Sequence, residues 1–205
     1  MKKIRDAEIH HLIGGELCMD FTNTLYGHTD VPIHEYLLDY RDLVLWSRHA
    51  GILTAAEAHR LLRQAFLQAR EAQAVFRRAL VLRAAIYRIF AKLARRRSPK
   101  AEDLAALHSA WIEALTHSEL LESSSGFRLD WKGEDALDRM LWPIVDSANK
   151  LLVSEEAQQV KRCNGCDWLF VDRSRNHLRR WCSMDVCGNR AKMRRRYARR
   201  KLALK

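Results

Sequence analysis

Apolar residues recur along most of this chain at the three- and four-residue spacing of amphipathic helices. Over 35–49, Leu37, Tyr40 and Val44 form one stripe with Leu43 and Trp46 beside it, and Gly51 is placed to stop the helix. Thr54 and Glu57 have capping-box spacing, and Leu53 supplies half of a hydrophobic staple, which predicts a helix from Ala55 towards Leu67. The longest pattern runs from Ala69 to Arg97. There Leu82, Ile86, Ile89 and Leu93 face one way, and Arg83, Arg88 and Lys92 are expected to turn away. The closing triplet Arg95-Arg96-Arg97 suits a helix C-terminus better than a second nucleic-acid patch. Ser98 and Pro99 read as the cap and first residue of the next helix, with Leu104, Leu107, Trp111 and Leu115 as its apolar face. Another helix begins near Ala136, breaks or kinks at Pro143, and continues through Ile144, Ala148, Leu151 and Leu152.

Alternation with period two is confined to short stretches. After the Gly14-Gly15 turn, Leu17, Met19 and Phe21 alternate with Cys18, Asp20 and Thr22, which predicts a short strand or an extended entry into the core. Phe127 to Trp131 alternates behind a turn at Ser123 to Gly126, and Trp168 to Val171 reads as a strand with Leu178 to Trp181 returning beside it. The expected fold is mainly α. A helical N-terminal domain (1–158) with a minor β-hairpin joins, through a short linker, a small C-terminal module (159–205) ending in a basic helix. A linker that short should hold the two parts in fixed relation.

Composition narrows the class. With 48% hydrophobic residues and three prolines in 205, disorder throughout is excluded and a core is within reach. No run of 18 apolar residues offers a membrane span, and the first 18 residues lack a secretory pattern, so a cytoplasmic protein with no membrane partner is expected. The formal charge of +11 is distributed unevenly. Residues 161–205 carry 15 Lys and Arg against three Asp, while the rest is close to neutral. Excess charge on so short a segment points to a polyanionic partner.

That segment also holds four of the five cysteines, Cys163, Cys166, Cys182 and Cys187, spaced C-x2-C-x15-C-x4-C. Four thiolates select zinc or iron over hard cations, and a knuckle such as Cys-Asn-Gly-Cys turns two of them towards one ion. Two disulfides or an iron–sulfur cluster are the alternatives, the former requiring an oxidising compartment. Four protein ligands leave no open position, so one Zn2+ here is structural, and the order knuckle, hairpin, second cysteine pair and basic helix makes 159–205 resemble a small treble-clef-like zinc finger. Lys192, Arg194, Arg195, Arg196, Arg199 and Arg200 crowd the terminal helix, and Arg173, Arg175, Arg179 and Arg180 lie on the segment between the cysteine pairs. Together they form a salt-sensitive polyanion-binding set, and an arginine-rich helix suits the major groove of duplex DNA. RNA binding, or docking of an acidic protein partner, fits the same charge. Arg190, three residues beyond a ligand, is assigned to the finger's own structure.

In the body, Asp20, Asn23 and Thr24 are expected either to make buried turn hydrogen bonds or, with Phe21, to line a small-molecule pocket. Cys18 reads as a small core residue. His10, His11, His28 and His34 cluster early and, with Asp20 or Glu16, could be assembled into an acid–base site. No phosphate-cradling glycine loop or nucleophile elbow accompanies them, and an enzyme is not expected.

The run from Cys163 to Tyr197, "CNGCDWLFVDRSRNHLRRWCSMDVCGNRAKMRRRY", resembles the CGNR zinc finger, named for the residues at Cys187-Gly188-Asn189-Arg190. "GGELCMDFTNTL", "LRAAIYRIF" and "SANKLL" resemble the ABATE domain that accompanies this finger in a bacterial family of stress-induced transcription regulators. The resemblance implies zinc on the four cysteines, DNA binding through the finger at the nucleoid, and a sensing body. The D-F-x-N-T run, here Asp20, Phe21, Asn23 and Thr24, is its hallmark. A homodimer reading two half-sites is attractive for so small a finger.

Overall fold

The structure is a computed structural model. It describes residues 11–26, 34–124 and 126–203, the side chains of Tyr26 and of 198–203 excepted. Helix α1 (Leu17–Thr22) and the two-residue strands β1 (Leu25–Tyr26) and β2 (His34–Glu35) precede four helices. These are α2 (Tyr40–His49), α3 (Ala55–Leu67), α4 (Ala69–Leu93) and α5 (Ala101–Leu115). An antiparallel hairpin, β3 (Ser118–Ser123) with β4 (Gly126–Trp131), leads to α6 (Leu141–Val153). A 3-10 turn over Glu155–Gln159 enters the second hairpin, β5 (Val160–Arg162) with β6 (Leu169–Val171), and α7 (Asn189–Ala203) closes the description. The fold is mainly α with a terminal basic helix, as the periodicity implies.

Several local expectations change for identifiable reasons. Residues 17–22 form a helix, not a strand. Gly15 takes φ +82 to turn the chain, and all of Cys18 to Thr22 is buried, so alternating polarity no longer separates core from solvent. The buried Asp20 Oδ1 instead accepts from the Gly14 N–H at 2.7 Å, and Thr22 Oγ1 donates to the Met19 carbonyl at 2.8 Å. Helix α2 starts at Tyr40 rather than near residue 35, because Asp39 caps it by accepting from Asp42 N–H while His34 and Glu35 pair with β1. Helix α3 keeps its full capping box, Thr54 with Glu57. Ser98 caps nothing: Arg96 sits at φ 55 and α5 begins at Ala101. Pro143 is the third residue of α6, where its missing N–H would have found no helical acceptor, so it ends nothing.

One apolar core runs from α1 through α2, α3, α4, α5 and α6, with Phe21 and Trp46 rings 5.4 Å apart inside it. Leu93 lies against this core, as its place on the α4 stripe requires. Arg83 does not turn away from it. Its guanidinium is buried, donating to Thr24 Oγ1 at 2.8 Å and to Glu35 Oε1 at 2.7 Å, so the long helix pins the β1–β2 bridge from inside. Arg83→Ala would leave Glu35 uncompensated and should lower unfolding free energy by about 3 kcal/mol. Chemical denaturation should show Arg83→Met with Glu35→Leu recovering much of that loss.

Candidate metal centre and nucleic-acid interface

Strand β6 begins the site. Its backbone is satisfied along both edges. On one side it pairs with β5, Leu169 opposite Arg162 and Val171 opposite Val160. On the other, the Asn23 amide both accepts from Leu169 N–H and donates to the Leu169 carbonyl, each at 2.9 Å, and Val171 N–H reaches the Gly14 carbonyl at 2.9 Å. No edge remains for Leu178 to Trp181, which form no strand. The hairpin therefore lies upstream of the place the sequence pattern suggested, with the cysteine knuckle at its tip. Strand alternation sends Leu169 and Val171 into the body's core and Phe170 into a second cluster with the four cysteines and Trp168.

The four Sγ atoms all lie within 4.8 Å of one another, and each cysteine is no more than 3% exposed. Sulfurs of Cys166 and Cys182 are 3.5 Å apart and those of Cys182 and Cys187 3.7 Å apart, and none of the cysteines is in a disulfide. A disulfide requires about 2.05 Å. Tetrahedral zinc with bonds of about 2.3 Å spaces its sulfurs by about 3.8 Å, which matches. Gly165 N–H points at Cys163 Sγ from 3.4 Å. Four buried thiolates held this close repel one another, so a cation must offset their charge. The residues fit zinc: the four cysteines hold one structural ion, and among the described residues they are the only such group.

The turn between the cysteine pairs is organised by Asp172. Burial opposes its ionisation, yet hydrogen bonds from Ser174 Oγ at 2.6 Å, Lys161 at 2.9 Å and the N–H groups of Ser174 and Arg179 hold the carboxyl well below the usual range. Ser183 caps the following π-helical turn, Met184–Gly188, by accepting from Asp185 N–H. A Cβ on Gly188 would meet Met184 Sδ at 2.7 Å, so a side chain at this position of the turn would have to push the exposed methionine aside. Asn189 donates to the Asp185 carbonyl and joins the turn to α7, while Arg190 borders the cysteine cluster.

The basic residues divide into two groups. Arg173 is a staple: its guanidinium pairs with Glu156 at 2.7 Å and with Glu16, and donates to the Gly15 carbonyl at 2.7 Å. Arg179 lies 4.6 Å above the Phe170 ring and donates to the Cys182 carbonyl, and Arg180 lies over Trp181. Arg173 and Arg179, assigned by sequence to the polyanion-facing set, thus have structural partners within the fold. Arg175 and the α7 residues Lys192, Arg194, Arg195 and Arg196 are exposed, and Met193 and Tyr197 on the same helix are 46% and 64% exposed. Among the described residues no carboxylate pairs with Lys192, Arg194, Arg195 or Arg196. Side chains of Arg199 and Arg200 lie outside the described residues.

A model of the family described as ABATE, "Putative stress-induced transcription regulator", matches residues 15–155. The chain belongs to the ABATE family. A CGNR zinc finger model matches residues 159–200, directly after it. No curated protein matches the chain. In this ABATE domain the residues of the D-F-x-N-T run make structural joints. Asp20 ties down Gly14, Phe21 fills the core, Asn23 clamps β6 and Thr24 receives Arg83. Cys18 is fully buried, its thiol pushed up to about 12 by burial. His11 borders the cysteine cluster and His34 meets Tyr36 edge-on at 4.5 Å, while His10 and His28 lie outside the described residues. Sequence reasoning missed the basic groups that gather where α4 ends beside β5, because their three stretches lie far apart in the chain.

Two measurements follow from this geometry. Zinc content should be one ion per chain, and Cys166→Ser should lower hydrogen-exchange protection in α1 as well as in β6, since both meet in one core. Burial lifts the Asp20 carboxyl to about 6, against 3.8 unperturbed, although the Gly14 N–H favours its charged form. A raised acid stabilises the fold below its unfolded value and loses that contribution as pH climbs through 6. Asp20→Asn, which keeps an acceptor for Gly14, should gain on the native protein by roughly 2 kcal/mol between pH 4 and pH 7. Urea titrations of both proteins across that range read the difference.

Proposed function

We propose that this protein is a transcription regulator that binds duplex DNA through the exposed basic side of α7, with the zinc centre fixing the start of that helix. The observation that carries the reading is the run Lys192, Arg194, Arg195 and Arg196, exposed and with no carboxylate pairing among the described residues. An α-helix fits the major groove of B-form DNA, whereas the major groove of A-form RNA is too deep and narrow for one, so DNA is favoured over RNA. Arg175 is placed to add a phosphate contact, while Arg173 and Arg179 hold the module together. The body acts as the sensor of a small effector, and the chain acts at the bacterial nucleoid as a regulator, not an enzyme. No helix among the described residues is long and apolar enough to cross a membrane.

Binding of the zinc-loaded protein to a randomised duplex pool across a salt series tests this. One enriched motif should survive moderate salt, and the spacing of its halves would reveal a dimer. Lys192→Ala should weaken binding on all sequences and reduce the slope of log affinity against log salt by about 1. Equal competition by duplex RNA would move the reading to RNA, and no retention at low salt would move it to an acidic protein.

A further inference from the structure

A half-buried face of α4 at the edge of the core forms the floor of a cavity of about 460 Å³, within the range of small-molecule sites. Leu80, Ala84, Tyr87 and Ala91 follow one another at intervals of three and four along this face, and Leu25 of β1 closes one side. The far wall is Arg162, the residue before the zinc ligand Cys163, so body and finger both line this cavity.

Its rim is basic, and the charges are not equally engaged. Arg83 is satisfied by Glu35 and Thr24, and Arg88 is held by Asp103 at 2.9 Å. Lys100 lies 3.0 Å from Glu102, and Arg162 lies 3.4 Å from Asp167. Among the described residues no carboxylate pairs with Lys92 or Arg95, one helical turn apart at the mouth. An apolar floor with two uncompensated cations at one end has the complementarity of an amphipathic anion. Tyr87, in the floor, donates to the Asp167 carbonyl in the zinc knuckle at 3.3 Å, so whatever rests on that ring rests against a group bonded to the finger.

We propose that this cavity binds a small organic anion, its carboxylate between Lys92 and Arg95 and its hydrocarbon or aromatic body along the Leu80, Ala84 and Ala91 face. The site deepens the sensory reading of the body and rests on that part of it, not on DNA binding. An anion seated here touches both a helix of the body and the two residues, Tyr87 and Arg162, that contact the knuckle.

Isothermal titration of the full-length, zinc-loaded protein with naphthalene-2-carboxylate, in the absence of DNA, tests the site. One equivalent should bind saturably, and the uncharged naphthalene-2-carboxamide should bind at least roughly tenfold more weakly. Ala84→Trp fills the cavity from an exposed helical position and should cost a comparable factor, as should Lys92→Ala combined with Arg95→Ala. Arg194→Ala with Arg195→Ala, on the finger helix, should leave the titration unchanged. Zinc content and far-ultraviolet circular dichroism of each variant establish that it is folded. Absence of saturable binding, equal affinity for the amide, insensitivity to Ala84→Trp, or loss through the α7 variant would each overturn the proposal. With no DNA present, failure here leaves the DNA-binding reading standing, and failure in the duplex pool leaves this site standing.

Discussion

A single three-residue strand belongs to two cores at once, and the arrangement of the rest depends on it. Leu169 and Val171 complete the helical body, while Phe170 between them packs on the cysteine cluster. Because successive strand side chains point to opposite faces, neither core can shift without moving the other. The strand is also hydrogen-bonded on both edges, by β5 on one and by Asn23 and the Gly14 carbonyl on the other. A side-chain amide acting as a strand neighbour is an economical way to end a sheet, since it leaves no exposed edge to recruit a further chain.

The polar residues buried in the body serve this joint. Asp20 holds the Gly14 loop that meets Val171, Asn23 holds Leu169, and Thr24 connects the same segment to Arg83 and thence to Glu35. Arg173 closes the joint from outside through Glu16 and Glu156. Burying so many polar groups is tolerable only because each finds a partner, and the partners come from segments distant in sequence. Such a network specifies one docking of finger on body where apolar contact alone would permit several.

Much of this was legible in the sequence. The helices from α2 to α6, the capping box at Thr54, the β3–β4 hairpin and the four zinc ligands all follow from spacing, because each depends on neighbours a few residues away. The errors share a cause. Alternation over Leu17 to Phe21 imitates a strand because the segment is buried on every side, and Arg83 sits in the core because a glutamate 48 residues away awaits it. Arg173 and Arg179 look like free cations until the fold brings Glu156 and Phe170 beside them. The gathering of Lys92, Arg95 and Arg162 around one hollow is likewise a property of tertiary packing.

The two family models meet between residues 155 and 159, yet the physical seam lies elsewhere. Strands β5 and β6 fall on the finger's side of that line while Val160, Leu169 and Val171 fill the body's interior. An exchange of fingers between relatives at this line would carry part of the recipient's core away with the donated module. Fingers and bodies of this kind are therefore bound to diversify as matched pairs, with the surface of α7 free to vary and the hairpin beneath it constrained by its host.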